Sequence, residues 1–225
     1  MGMGVDLVRI ALSKRLGKTV SVFFGALAQS APAFWRHLQR CIFLDSLDSA
    51  TNMSFTPSWV YLVVMGVAGC GKSSLGAALA QAEGLPLIEG DDHHSPASRE
   101  KMRQGIALTD ADREGWLATL GQLLQAQPQG VVLTCSALKK AYRDRLRSAC
   151  PGLRFAFLEI DRVHAGQRVA ARAGTHFFSS ALVDSQFATL ESPVGEAGVL
   201  RLDALLDLPT LQQQASRWLA TKEAA

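Results

Sequence analysis

The chain has 225 residues, 48% of them hydrophobic, and a formal net charge of +3. Its length suits one compact domain with something attached, and its apolar content is ample for the core of a globular cytosolic protein. So small a charge, with no dense Lys/Arg run, argues against a nucleic-acid partner. Cys41, Cys70, Cys135 and Cys150 form no C-x-x-C pair, which argues against a zinc site or a disulfide framework and fits a reducing compartment.

Residues 1–52 differ from the rest. They hold Arg9, Lys14, Arg15, Lys18, Arg36 and Arg40, with Asp6 the only acidic residue before Asp45. The apolar run after Lys18 resembles a short secretory signal and is too brief to span a bilayer. The same basic, acid-poor composition suits an organellar transit peptide. The preferred reading is sequence upstream of a natural start at Met53, with no role in the fold.

From residue 58 the signals become regular. Residues 59–65 (WVYLVVM) form a continuous β-branched and aromatic run, expected of a strand buried on both faces of a parallel sheet. A glycine-rich turn and a helix over 72–83 follow, then a strand over 85–88. Helices are expected over 98–105 and 110–126, the second opening in an acidic turn that complements its dipole. A strand at 131–134, a helix at 138–148 ended by Pro151-Gly152, and a strand at 155–160 come next. A basic helix over 163–173, a helix over 182–191, a strand over 198–202 and a helix over 210–221 close the chain. The alternation predicts an α/β fold of three layers, a central parallel sheet with helices on both faces, in one domain spanning 58–222.

The strongest motif is Gly66-Val67-Ala68-Gly69-Cys70-Gly71-Lys72-Ser73, followed by Ser74. It satisfies G-x-x-x-x-G-K-[ST] and lies between a buried strand and a helix. Glycines let the backbone turn tightly, so that successive N–H groups converge into an anion nest at a helix N-terminus. Lys72 brings a point charge to the β- and γ-phosphates of a nucleotide, and the Ser73 hydroxyl is a Mg²⁺ ligand. No N-K-x-D sequence for reading guanine occurs, and the strand at 131–134 runs into Cys135-Ser136 without the acidic residue typical of motor ATPases. By elimination, a small-molecule kinase using ATP and Mg²⁺ leads.

The strand at 85–88 runs into Glu89-Gly90-Asp91-Asp92-His93-His94. Ligands gather at the carboxyl ends of parallel strands, which places these side chains at the same crevice as the phosphate loop. Transfer to a hydroxyl needs a carboxylate that orients it and accepts its proton, and Asp91 takes that role. An acidic loop that caps the next helix is the competing reading, stronger for Asp92. His94 is expected to hydrogen-bond substrate rather than metal.

The run EGDDHHSPASREKMRQGIALTDADREGWL resembles the substrate-binding stretch of the gluconate kinases, as do VVLTCSALKKAYRDRLR and HFFSSALVDSQFATLESP. With GVAGCGKSS these cover roughly residues 60 to 202 in the family's order. The resemblance implies a nucleoside-monophosphate-kinase-like fold with a helical lid, transfer of the ATP γ-phosphate to D-gluconate, and 6-phosphogluconate as product. It also implies a homodimer. An ATP-using kinase has no use for export, so a cytoplasmic protein with no membrane or nucleic-acid partner is expected. Carried over by position, Asp91 and His94 match G-D-x-x-H, Lys101 matches K-M, Arg113 matches D-x-D-R and Ser136 matches C-S-A-L-K. Arg113 suits a bidentate pair with a substrate carboxylate and Lys101 a point charge. For Ser136 a helix N-cap before Leu138 is equally open.

Arg168 and Arg172 are four apart and share a helix face. The resemblance places them in the lid, over the charge that spreads on the transferring phosphoryl group. Lys139, Lys140, Arg143, Arg145 and Arg147 form another basic helix, read as surface except that Tyr142 and Arg143 support the fold. Ser98 stands where the family commonly has Asn, Ser179 replaces a frequent Pro, and the spacing to His176 is one residue long. The alternatives are a kinase for another acceptor, such as shikimate or a nucleotide, and a nucleotide-binding regulator that hydrolyses ATP slowly.

Overall fold

A computed structural model describes residues 59–171 and 180–221. The extension over 1–52, Cys41, Arg172, His176 and Ser179 lie outside the described residues. Five strands form one parallel sheet: β1 (Tyr61–Met65), β2 (Leu87–Glu89), β3 (Val131–Thr134), β4 (Arg154–Glu159) and β5 (Val199–Asp203). Their order across the sheet is β2-β3-β1-β4-β5, so the chain crosses over at each step and the two halves diverge from β1. Seven α-helices accompany them among the described residues: α1 (Lys72–Glu83), α2 (Pro96–Arg103), α3 (Asp110–Gln125), α4 (Lys140–Ala149), α5 (Arg162–Ala171), α6 (Ser180–Thr189) and α7 (Leu208–Ala220).

The unbroken apolar run of β1 has the predicted consequence. Leu62, Val63, Val64 and Met65 are all fully buried, and period-2 alternation divides them between two cores. Leu62 and Val64 join Leu75 and Leu79 of α1 and Leu211, Ala215 and Leu219 of α7 on one face. Val63 and Met65 join Trp116, Leu120 and Leu124 of α3 and Leu146 of α4 on the other. Each such side chain contributes roughly 1.5–3 kcal/mol when withdrawn from water. Gly76 lets α1 lie close to the sheet, since a Cβ there would stand 2.6 Å from Cγ2 of Thr134.

Several boundaries differ from expectation, each for a local reason. The first strand begins at Tyr61, whose partner is Val131, leaving Trp59 half exposed. The second helix starts at Pro96 rather than 98, because Ser95 accepts the Ser98 N–H at 3.1 Å and proline sits in the first turn. The fourth helix starts at Lys140 rather than 138, because Ala137 lies in the left-handed region at φ 44°. The last helix starts two residues early, where Asp207 accepts the Thr210 N–H at 2.7 Å. A 3-10 turn, Gly90–His93, was not expected; it follows β2 directly.

Helix α4 buries Tyr142 and Arg143, as its basic sequence suggested for those two alone. The Arg143 side chain is fully buried and donates to the carbonyls of Ala137 and Leu138 at 2.9 and 3.1 Å. Its Nε and Nη2 meet the carboxylate of Glu196, which Arg147 also reaches at 2.9 Å. Removing one partner of a buried ion pair strands the other, so Arg143→Met is expected to cost about 3 kcal/mol. A urea unfolding midpoint lowered accordingly, with unchanged slope, is the expected measurement.

Candidate active site

The phosphate loop is built as its composition requires. Gly69 adopts φ 83°, and a Cβ there would stand 2.7 Å from the carbonyl oxygen of Ala165. Gly71, at φ 103°, is the N-cap of α1 and gives the helix no side-chain cap, so its first N–H groups face the loop. Lys72 Nζ folds back over the loop and donates to the carbonyl of Val67 at 3.1 Å. Cys70 is buried, which pushes its thiol up from the usual range, although Lys72 pulls it down. It acts as loop packing, not as a nucleophile.

The loop opens onto a cavity of about 170 Å³. Of the residues expected to bind nucleotide, Ala68, Gly69, Gly71, Lys72, Ser73 and Ser74 line it, and Gly66, Val67 and Cys70 do not. Asp91, His94, Arg113 and Ser136 line it too, so the acceptor residues come from three separate segments to the same place as the phosphate loop. Asp91 sits in the 3-10 turn with its side chain 57% exposed. Neither it nor Asp92 caps the next helix, since Ser95 does that.

His94 is 7% exposed and stacks on Trp116, ring centroids 4.2 Å apart and planes 15° from parallel. Trp116 is fixed in turn by its Nε1–H, which donates to the Gly90 carbonyl at 2.8 Å. His94 Nε2 lies 3.8 Å from Asp91 Oδ1, and its Nδ1 is buried with no hydrogen-bond partner. Burial pushes the imidazole below its ordinary 6.5, Asp91 pulls it up, and Arg113 and Arg99 press it down. A neutral ring with an orphaned nitrogen, facing a cavity, suits a hydroxyl-bearing ligand.

One expected substrate contact, Lys101, and the competing cap reading of Ser136 come out differently. Lys101 does not line the cavity; its ammonium pairs with Asp112 at 2.7 Å. Asp112 also closes a capping box with Thr109, and these bonds, Lys101 foremost, hold its carboxyl at about 2. Ser136 is not a helix cap, since α4 begins after Lys139 and has no side-chain cap. Arg113 lines the cavity, donating to the Leu108 carbonyl and lying 5.8 Å over the Tyr142 ring. Arg168 does not line the cavity; it bonds the carbonyls of Cys70 at 3.4 Å and Ala204 at 2.8 Å. Ser98 is buried, its hydroxyl accepting from Ser95 at 3.0 Å, and does not reach the cavity.

Sequence reasoning placed Glu89 at the crevice but gave it no role. It ends β2 opposite Thr134 of β3, and its Oε2 accepts from Thr134 Oγ1 at 2.5 Å and from Ser73 Oγ at 3.1 Å. The carboxylate that β3 lacks is thus supplied from the neighbouring strand, beside the hydroxyl expected to bind metal. The signal was present, an acidic residue at the end of a strand in the same crevice. Gln186 of α6 also lines the cavity. No group of three or more His, Cys, Asp or Glu side chains forms a metal site among the described residues.

A parallel sheet, a nest at a helix N-terminus and a carboxylate-bearing cavity beside it define a P-loop phosphotransferase. The profile of the AAA domain family matches residues 62–193. The chain is 42% identical to a gluconokinase of Gluconobacter oxydans over 69% of its own length and 87% of that protein. A crystal structure of a gluconokinase from Sinorhizobium meliloti superposes with a TM-score of 0.67 at 46% identity, covering 72% of this chain and 91% of that one. An unliganded sugar kinase from Janibacter superposes with a TM-score of 0.68 at 36% identity, covering 72% and 94%. The chain belongs to the gluconokinase family.

The depressed His94 sets a pH dependence of stability. Below about 6.5 the unfolded chain takes up a proton that the folded site resists, so this contribution is present above that pH and falls away as pH drops through the folded value. In urea unfolding between neutral pH and about 5, His94→Phe, which keeps the stack on Trp116, is expected to flatten the acid-side loss relative to wild type. Parallel curves would assign the loss to other groups.

Proposed function

We propose that this chain transfers the γ-phosphoryl group of ATP to D-gluconate, giving 6-phosphogluconate and ADP. The observation that carries the reading is that Asp91 and the phosphate-loop residues Lys72 and Ser73 line one cavity, in a chain whose family is that of the gluconokinases.

Asp91 accepts the proton of the acceptor's 6-hydroxyl as its oxygen attacks the γ-phosphorus, and the bond to the β-phosphate oxygen breaks to release ADP. Its carboxylate is exposed, with His94 Nε2 3.8 Å away, and so is open to the acceptor hydroxyl. Lys72 stabilises the charge on the transferring group, and its link to the Val67 carbonyl is a neutral contact that a phosphate outcompetes. Arg113 is the cation that addresses the gluconate carboxylate, with His94 and Ser136 on the hydroxyls. Lys101 contributes by fixing Asp112 at the start of α3, one residue before Arg113.

The donors around Ser73 are hydroxyl and carboxylate oxygens, a hard set that fits Mg²⁺, which keeps most of its waters and is held through one or two protein groups and phosphates. Ser73 would ligate the ion directly and Glu89 would hold its waters; the bound ion neutralises the β- and γ-phosphates. Neither Arg168, engaged on backbone carbonyls, nor Arg172, outside the described residues, has an assigned contact; both remain candidates for the phosphoryl charge. No helix among the described residues is long and apolar enough to cross a membrane. A cytoplasmic homodimer is part of the same proposal, on the family resemblance and the absence of any use for export in an ATP-dependent kinase.

A coupled assay of ADP release with Mg·ATP tests the acceptor. Strong stimulation by D-gluconate, and not by shikimate or nucleoside monophosphates, is expected; equal slow release under all conditions would instead mark a nucleotide-binding regulator. Lys72→Ala is expected to abolish transfer. Asp91→Asn is expected to keep ATP affinity and lower kcat by about 10² to 10⁴, and near-normal turnover would remove Asp91 from its role. A chain beginning at Met53 is expected to retain full activity, with a misfolded product refuting the reading of residues 1–52.

A further inference from the structure

The peptide unit between Val67 and Ala68 is held from both sides. Its carbonyl accepts from Lys72 Nζ at 3.1 Å, and its N–H donates to Oε1 of Gln186 at 2.6 Å. Gln186 comes from α6, 118 residues further along the chain, and both it and Ala68 line the cavity. A phosphate-binding nest works by offering N–H donors, so a side-chain oxygen from another element placed on one of them competes directly with phosphate.

The placement is built. Val183 is buried, and Phe187 and Leu190 pack against the same core, fixing the side of α6 away from the cavity. Leu182, Ser185 and Gln186 face the cavity. The backbone of Gln186 is therefore anchored while its carboxamide, half-buried, can turn about its own torsions. A carboxamide carries an acceptor and two donors on one end. A phosphate oxygen is a charged acceptor and binds N–H about twice as strongly as a neutral carbonyl.

We propose that Gln186 is a positioning residue for the γ-phosphoryl group, a role that rests on the phosphoryl-transfer reading of this cavity. An oxygen of that group takes the Ala68 N–H, and the carboxamide turns to donate from Nε2 to the same group. The γ-phosphate is the one assigned, because in a phosphate loop the N–H groups at the helix start cradle the inner phosphates and the lysine reaches the outer ones. Ala68 lies at the other end of the loop, on the peptide that Lys72 touches. Gln186 thereby distinguishes a triphosphate from a diphosphate, which favours substrate over product at the donor site.

The test uses the full chain, with isothermal titration of ADP and of the β,γ-imido analogue of ATP against wild type, Gln186→Glu and Gln186→Leu. A carboxylate at this position competes for the Ala68 N–H and repels the γ-phosphate. The Glu variant is expected to lose about tenfold or more in affinity for the analogue, with ADP changed by less than about threefold. The Leu variant is expected to keep ADP affinity and KM for gluconate while kcat falls about tenfold. ADP binding is the folding control, and if the Glu variant fails it, the Leu variant decides alone. Equal shifts for both nucleotides, or none, would overturn the proposal and leave Gln186 a structural latch between α6 and the loop. Wild type that binds both nucleotides but does not phosphorylate gluconate would refute the acceptor reading while leaving the nucleotide comparison valid.

Discussion

Glu89 ends the edge strand β2, and strand register decides where its carboxylate goes. Pairing of β2 with β3 sets Glu89 opposite Thr134, whose hydroxyl donates to it, and β3 in turn pairs Thr134 with Val64 at the end of β1. The phosphate loop leaves β1 immediately after this layer and brings Ser73 back to the same carboxylate. A one-residue slip of β2 would turn Glu89 to the opposite face of the sheet. It would separate the carboxylate from the metal-ligating hydroxyl without altering the loop. The two apolar cores on either side hold that register, so the site inherits its accuracy from packing that never touches substrate.

The acceptor half is held by different means. Segment 135–138 turns away from β3 through Ala137 in a left-handed conformation, which costs on the order of 1 kcal/mol for a residue with a Cβ. Arg143 offsets that cost by gathering the carbonyls of Ala137 and Leu138 from inside the core, with Glu196 balancing its charge. The result presents Ser136 to the cavity while Cys135 is buried, its thiol pushed up to about 12 by burial. A buried ion pair is poor evidence of net stability, and its use here is to fix one loop conformation.

Much of this was legible in the sequence. The apolar run of β1 and the spacing of the phosphate loop located the sheet and the nest, because a doubly buried strand and an anion nest tolerate few other compositions. Asp91 and His94 were read from their place at the carboxyl end of a strand, Arg113 and Ser136 through motif resemblance, and the structure brings all four to one cavity. What pattern could not supply was pairing. Lys101 and Arg113 were both expected at the substrate, and only the fold shows that one is spent on Asp112 while the other lines the cavity. Arg168 likewise shares the composition of a phosphate-binding residue, but its reach to Ala204 depends on where β5 ends. Glu89 was given no role and Gln186 was missed because their partners lie 16 to 118 residues away, beyond any local spacing rule.

The contrast between Asp91 and His94 then follows from solvation. Three residues apart, they differ in exposure from 57% for the carboxylate to 5% for the imidazole side chain. A buried carboxylate would be driven neutral and lose its use as a base, whereas a buried imidazole is driven neutral and gains by it. A neutral ring both donates and accepts, and it adds no charge beside a transferring phosphoryl group that already carries several. The stack on Trp116 supplies that burial, and the Trp116 bond to the Gly90 carbonyl ties it to the residue preceding Asp91. Base and hydroxyl-reading group are thus set by one short turn and one aromatic ring. On the proposed reaction, this is how a small cavity sets an exposed carboxylate beside a surface dry enough to discriminate among hydroxyls.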